Sequence, residues 1–382
     1  MKSKILCLLV LILLSTVSAP AAEDTHGDFI YTSGMNLMLH GKSFRYVGTN
    51  TYYLMVYSVS PTTRKHVDEV FDSAGKMGLK VMRTWAFNDG KRQWNALQTA
   101  PGEYKEDAFV GLDRVIAKAK ERNIYLILTL VNNMNDYGGA KQYVDWSPTA
   151  LMKEHNEFFT DANVRQYYKD HIKAILTRVN TITGLEYRND PAIMAWQLMN
   201  EPRVDNDLSG DILNNWIREM SDYVKTIDKN HLLMVGEEGF YANRNKYDWM
   251  MNGSRGQDFV RDHSLPSVDI ASFHLWPSSD KYNFDHEQIA DWIKIHHEDA
   301  VKIGKPLILD EYGEYRGYNG DTIERDKVYG IVIDALERYK VAGSNFWLLI
   351  DNGYKQYDDG DAVYYPEDKS TIEILESAVK KL

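Results

Sequence analysis

The chain has 382 residues, 44% of them hydrophobic and 26% charged, which is enough for one large α/β barrel or two average domains. The formal net charge of −11 excludes a protein built to grip phosphate backbones or anionic membranes, and favours neutral substrates. Residues 1–22, MKSKILCLLVLILLSTVSAPAA, read as a signal peptide: Lys2 and Lys4 precede a short apolar run, Ile5–Leu14, and Ala19-Pro20-Ala21 supplies an A-x-A cleavage site. The run is shorter than the roughly 20 residues needed to span a bilayer. Cleavage removes Cys7, the only cysteine, so the mature chain has neither a disulfide nor a cysteine metal site. It also takes the net charge to −13.

From residue 23 to 382 no Pro/Gly/Ser-rich linker and no repeat interrupts the chain, which reads as a single domain with loop insertions. Short β-rich apolar runs alternate with stretches of helical period. The runs are Phe44–Leu54, Lys80–Phe87, Ile124–Val131, Ile193–Asn200, Leu232–Glu237, Asp269–Trp276, Pro306–Glu311 and Ser344–Ile350. The predicted helices are His66–Met77, Asp107–Arg122, Val164–Ile182, Leu213–Ile227, Gln288–Ile303, Ile323–Tyr339 and Ser370–Leu382, with Asp107 and Asp211 as cap signals. Eight strands alternating with helices predict a (β/α)8 TIM barrel. An open doubly wound sheet is the alternative, but no G-x-G-x-x-G follows any run.

A barrel of this kind carries its active site at the C-terminal strand ends. Seven of the runs end on polar or aromatic residues: Arg83, Trp85 and Phe87; Asn132 and Asn133; Asn200 and Glu201; Glu237 and Glu238; His274 and Trp276; Asp310 and Glu311; Trp347. Alone, Asn200-Glu201-Pro202 or Asp310-Glu311-Tyr312 is turn chemistry, Arg83 a salt bridge and Trp347 a core residue. Together at one mouth they read as a site.

Glu201 and Glu311 lie 110 residues apart, at the ends of the proposed fourth and seventh strands. Two carboxylates facing one cleft suit glycosidic bond cleavage, one as acid and one as nucleophile, with environments that separate their pKa values. Arg83 can hold a neighbouring carboxylate ionised, Asn200 can grip a hydroxyl, and His274 can donate or accept beside the pair. Trp85 and Trp347 offer flat faces to a pyranose. His296-His297 reads as a solvent-facing helical pair. Asp358-Asp359-Gly360-Asp361 lacks the spacing of a calcium loop and reads as solvated, with a weak calcium site as the other use.

The segments VMRTWAFNDG, ALQTAPGEY, DYGGAKQYVDW, YRNDPAIMAWQLMNEPR, VGEEGFY and KPLILDEYG, spread over roughly residues 30–350, resemble glycoside hydrolase family 5, in its endo-β-1,4-mannanase branch. The resemblance implies a retaining hydrolase that acts on mannan, galactomannan or glucomannan; the signal peptide makes it a secreted protein, extracellular or periplasmic, and a monomer is expected. The resemblance implies no metal and no cofactor, and the acidic net charge argues against a nucleic-acid or membrane partner. Glu201 would be the acid/base and Glu311 the nucleophile. Asn200 would contact the sugar 2-hydroxyl, Arg83 and His274 would wall the nucleophile, and Trp347 would lie under the sugar. Trp85, Asn132, Glu238 and Trp276 would serve neighbouring subsites. The sequence departs from the pattern at Met134, where a Trp is usual, at Trp276, where a Tyr is common, and at Gln197, where a Glu is usual. Exo-action on mannan with a cleft blocked by residues 239–267 or 352–368, a β-1,4-glucanase, and a non-catalytic sugar-binding barrel remain alternatives.

Overall fold

The computed structural model describes residues 26–246, 248–278, 282–317, 320–357 and 359–382; residues 1–22, expected to be a signal peptide, and Asp358 lie outside them. Eight parallel strands form the central sheet: β1 Tyr46–Asn50, β2 Val81–Trp85, β3 Tyr125–Thr129, β4 Ile193–Gln197, β5 Leu232–Met234, β6 Ala271–Leu275, β7 Leu307–Tyr312 and β8 Gly343–Phe346. β8 pairs with β1. Between β5 and β6 the seam is held by Asp269, whose N–H donates to the Leu233 carbonyl at 2.9 Å while its carboxylate takes the Leu233 N–H at 2.8 Å. A helix follows each strand: α1 Pro61–Met77, α2 Glu106–Arg122, α3 Ala162–Leu176, α4 Asp211–Ile227, α5 Phe259–His263, α6 His286–Ile303, α7 Ile323–Arg338 and α8 Lys369–Lys380. This is the (β/α)8 barrel. Among the described residues no helix is long and apolar enough to cross a membrane.

The strands are apolar on both faces because both are buried, as parallel sheets require. Outward residues such as Met82, Leu126 and Trp196 pack under the helices. Inward residues such as Val81, Ile127, Met194 and Ile308 fill the lower barrel. A three-stranded antiparallel sheet, Tyr31–Ser33, Asn36–Leu39 and Lys42–Ser43, precedes β1, and its Leu37 joins Ile30 in that inner cluster. Toward the C-terminal end the interior turns polar: Asn50, Arg83, Gln197 and Asp310 are each at most 1% exposed.

Several boundaries differ from expectation. The first run stops being a strand at Asn50, and Leu54 begins a short helix, Leu54–Val59. The last run divides, because Leu349–Asp351 leaves β8 and pairs with Val363–Tyr365. α3 ends at Leu176, not Ile182: Asn180 and Thr181 turn toward Asp113, whose carboxylate takes the Thr181 N–H and hydroxyl at 3.0 and 2.7 Å. Asp211 is not a cap but the first residue of α4, and Asp207 accepts the Ile212 N–H at 2.9 Å instead. His296 is fully buried, because α6 turns that flank to the chain after β5: its Nε2 meets the Gly239 carbonyl at 2.8 Å and its Nδ1 the Trp292 carbonyl at 2.7 Å.

Candidate active site

Beyond Gln197 the chain leaves β4 still bonded on both sides. The Asn200 N–H donates to the Val131 carbonyl at 2.9 Å, and the Glu201 N–H to Gly236 at 2.8 Å. Glu201 has φ of +51°, a left-handed conformation that side chains rarely adopt. It turns the carboxylate into the barrel mouth just before Pro202 ends the pairing. A buried apolar strand therefore ends on a carboxylate because its flanking carbonyls fix the turn.

β7 reaches the mouth by another device. Its pairing with β6 shifts register after Phe273, so that His274 stands opposite Glu311 rather than Asp310. Consecutive strand residues normally point to opposite faces, and a bulge re-aims them. Asp310 and Glu311 accordingly both reach Arg83, at 3.8 and 2.7 Å.

Arg83 is buried and fully engaged. Nε donates to Gln197 Oε1 at 2.8 Å, one terminal nitrogen to Asn50 Oδ1 at 2.8 Å and Glu311 Oε2 at 2.7 Å, and the other to Asn200 Oδ1 at 2.6 Å. Gln197 also takes the Thr129 hydroxyl and donates to Asp310, both within hydrogen-bond distance. An amide serves here because it must accept from a cation and donate to a carboxylate at once.

The other Glu311 oxygen accepts the Trp276 indole N–H at 3.1 Å. Burial lifts the Glu311 carboxyl above its ordinary pKa, and neighbouring Glu201 and Asp310 add to this, while His274 and Arg83 pull it back. His274 Nδ1 lies 3.1 Å from Glu201 and 3.7 Å from Glu311, and its Nε2 3.6 Å from Asp310. Burial alone would lower the imidazole; the charges of Glu311 and Asp310, with the hydrogen bond to Glu201, outweigh it and push it up to about 10. His274 is therefore an imidazolium at neutral pH.

Donor oxygens of Glu201 and Glu311 and a ring nitrogen of His274 all lie within 4.8 Å of one another. That upper bound between single oxygens is compatible with the roughly 5–5.5 Å between carboxyl groups that direct attack requires. Glu201 also has the Arg203 guanidinium 3.4 Å away. Glu238 holds that guanidinium in turn and accepts from Gln257 Nε2 at 2.6 Å. Burial raises the Glu238 carboxyl, with Arg203 opposing.

Trp347 is half-exposed at the end of β8. It stacks on Tyr52 with centroids 5.4 Å apart and planes 11° from parallel, and its indole N–H donates to Asp359 at 2.7 Å. Asp359 thus faces Trp347, and Asp358 lies outside the described residues. Trp276 stands edge-on to Trp347 at 6.0 Å. Beside Arg203, Asn133, Met134, Lys141, His155 and Asp205 line an open cavity of about 410 Å³.

Two of the anticipated sugar contacts stand behind others at the mouth. Trp85 is only 6% exposed, its faces covered by Phe87 at 4.9 Å and Tyr52 at 5.0 Å, so it backs Tyr52 and offers no open face. Asn132 is 1% exposed and takes the Asn200 amide at 3.0 Å, so it orients Asn200 from behind. Glu237 is turned away from the mouth and buried beside Asp262. Sequence reasoning missed Asn50 and Tyr52; the signal was a polar Asn inside the apolar first run.

A (β/α)8 barrel with two close carboxylates and an aromatic wall at its C-terminal mouth defines a glycoside hydrolase. A family model described as GH family 5 beta-mannosidase-like matches residues 27–364, and the chain belongs to that family. It is similar to mannan endo-1,4-beta-mannosidase 4 of Solanum lycopersicum, 36% identical over 390 residues covering 98% of this chain and 97% of that protein. It is 40% identical over 373 residues to mannan endo-1,4-beta-mannosidase 2 of Oryza sativa, covering 91% and 82%. Among solved structures, the endo-1,4-beta-D-mannanase from Thermotoga petrophila superposes with a TM-score of 0.80 at 35% identity, covering 89% of this chain and all of that one.

Proposed function

We propose that the protein is a secreted retaining endo-β-1,4-mannanase, acting as a monomer on mannan, galactomannan or glucomannan. The observation that carries the retaining mechanism is the spacing of Glu201 and Glu311, within 4.8 Å through their oxygens. Glu311, held from both sides by Arg83 and Trp276, attacks the anomeric carbon. Glu201 protonates the leaving oxygen and then activates the water that releases the sugar. Arg83 stays bonded to Asn200, whose amide is aimed by Asn132 at the hydroxyl beside the reacting carbon. Trp347 supports the apolar face of that sugar, and Arg203 with Glu238 serves the leaving-group side. Mannan as the substrate is supported by the relatives, which carry that activity in their names.

The test is digestion of linear mannohexaose, with cello-oligosaccharides alongside. A spread of short manno-oligosaccharides, released first as β-anomers in proton spectra, is the expected result. A single product from the outset would establish exo-action, and turnover of the glucans alone would move the substrate. Initial α-anomers would overturn retention. Equal activity in wild type, Glu201→Gln and Glu311→Gln would end the catalytic assignment.

A further inference from the structure

Among the described residues two groups bring an imidazole and two carboxylates together. In the first, Glu201, His274 and Glu311, the Arg83 guanidinium lies 2.7 Å from Glu311, so a fixed positive charge already occupies the place of an ion. The second is His66, Glu69 and Asp351, on the flank of the barrel. His66 and Glu69 are three residues apart on α1 and share one face of it. Asp351 ends the strand that leaves β8. One donor atom from each lies within 4.8 Å of the others.

The surroundings fit a cation. His66 Nδ1 is bonded to Asp351, and the Glu69 and Asp351 carboxyl groups meet each other. Among the described residues no lysine or arginine forms an ion pair with either acid. His66 and Asp351 are 6% and 9% exposed, while Glu69 is exposed and leaves a path from solvent. Gly353 and Tyr354 close one side of the cluster: the Gly353 backbone bonds Asp351, a Cβ at that glycine would stand 3.0 Å from Asp351 Oδ2, and the Tyr354 ring lies 4.4 Å from that of His66, so the approach is from the Glu69 side.

We propose that His66, Glu69 and Asp351 form a binding site for one divalent transition-metal ion, with Zn²⁺ the best match to one nitrogen and two oxygen donors. Zinc takes such donors at about 2.0–2.2 Å, and water completes a coordination shell that the protein leaves open. Calcium fits poorly, because it selects oxygen ligands alone. The ion is structural, remote from the two glutamates that do the chemistry. It ties α1 to the segment after Asp351, which runs on to Asp359 and so to the Trp347 indole. Metal binding would steady the aromatic platform and act on KM and thermal stability before kcat.

The test is calorimetric titration of the EDTA-treated full-length mature protein with Zn²⁺, and with Mn²⁺ in parallel, together with thermal melts. The expected result is one Zn²⁺ per chain and a melting temperature that rises on binding. Glu69→Gln, a change at an exposed position, should keep the melting temperature of the metal-free protein. It should weaken Zn²⁺ at least about tenfold, the loss found when merely the hydrogen-bond partner of a metal ligand is removed. Glu201→Gln should bind Zn²⁺ as wild type does. Absence of saturable uptake of either ion below about 1 mM would overturn the site. So would uptake that Glu69→Gln leaves undiminished or that Glu201→Gln abolishes.

Discussion

Arg83 shows why residue identity at the mouth is so constrained. Its fork reaches four acceptors on β1, β4, β7 and the turn after β4, and only a planar guanidinium can serve all of them. Arg83→Lys keeps the charge but loses the fork. It should lower kcat/KM by about 10²–10³, the range for removing one preorganised donor from a transition-state site. Measuring kcat/KM together with the melting temperature separates misplacement from unfolding, and a loss below tenfold at unchanged stability would show that charge alone suffices. Trp276 makes a subtler contribution. Its N–H stabilises the ionised form of Glu311, whose carboxyl is raised above the usual value of 4.5. Activity needs that carboxylate charged, so the acid limb of the pH profile should lie above 4.5. Trp276→Phe should move it higher by about one to two units, since a lost hydrogen bond to a charged group is worth about 1.5–3 kcal/mol and each unit corresponds to about 1.4 kcal/mol. An unmoved limb would mean that the indole does not hold the nucleophile. Both glutamates, Arg83, Asn200 and His274 are legible in the sequence, because polar residues ending apolar runs are costly unless used. Burial of Trp85 and Asn132 is not legible: a second layer of aromatics and amides has the same composition as the first.

The elements matter through how they end. Glu201 is aimed by a backbone bond to Gly236, and Gly236 has φ of +96°. A Cβ at that position would come 2.1 Å from the Met199 carbonyl oxygen and 2.8 Å from the Gln197 side chain. Neither backbone nor a bonded amide can yield cheaply. Gly236→Ala should therefore destabilise the protein by about 2–4 kcal/mol, from a strained φ together with overpacking. It should also cut activity in the fraction that stays folded, because the Glu201 turn and the Arg83–Gln197 bond both move. Urea unfolding with wild-type stability would refute this. The eight strands could be placed from sequence because both faces of a parallel barrel are buried, leaving unbroken apolar runs. The bulge in β7 could not, since Leu-Ile-Leu-Asp-Glu-Tyr reads as a plain alternating end and only the β6 pairing reveals that Asp310 and Glu311 share a face. α3 was overrun for a comparable reason: Arg178–Ile182 continues a helical period, but Asp113 on α2 offers Thr181 a better partner than the helix does. The N-terminal sheet is too short to announce itself.

At the scale of the molecule, buried ionisable groups set how stability responds to pH. His171 and His296 are lowered to about 4 and His263 to about 3, each mainly by burial. Between those values and about 6.5 the unfolded chain binds protons that the folded chain does not, so these three destabilise the fold as pH falls. Asp89 and Asp262 behave oppositely: burial raises them to about 8 and about 6 from 3.8. The folded chain keeps their protons after the unfolded chain has lost them, so they cost stability as pH rises through the same range. Below 6.5 the two sets oppose each other. Above it the histidines are silent, Asp89 continues to act up to about 8, and His274 adds a term of the same sign. With a folded value near 10, the contribution of His274 is whole below 6.5 and lost as pH climbs to 10. Stability should therefore decline on the alkaline side, by about 1–3 kcal/mol per pH unit near pH 7.5, for a difference of one to two bound protons. Asp89 can be isolated from the active site. Its Oδ1 accepts from Gln98 at 3.2 Å while Oδ2 has no partner, so an amide of the same shape replaces the neutral acid closely. Asp89→Asn never ionises, and its melting temperature should fall clearly less than that of wild type between pH 6.5 and 8, then run parallel to it above 8, where Asp89 is ionised in both states and His274 and Lys305 act with opposite signs in both proteins. Curves that stay parallel from pH 6.5 onward would show that the Asp89 proton is not retained on folding, and the alkaline decline would then rest on His274.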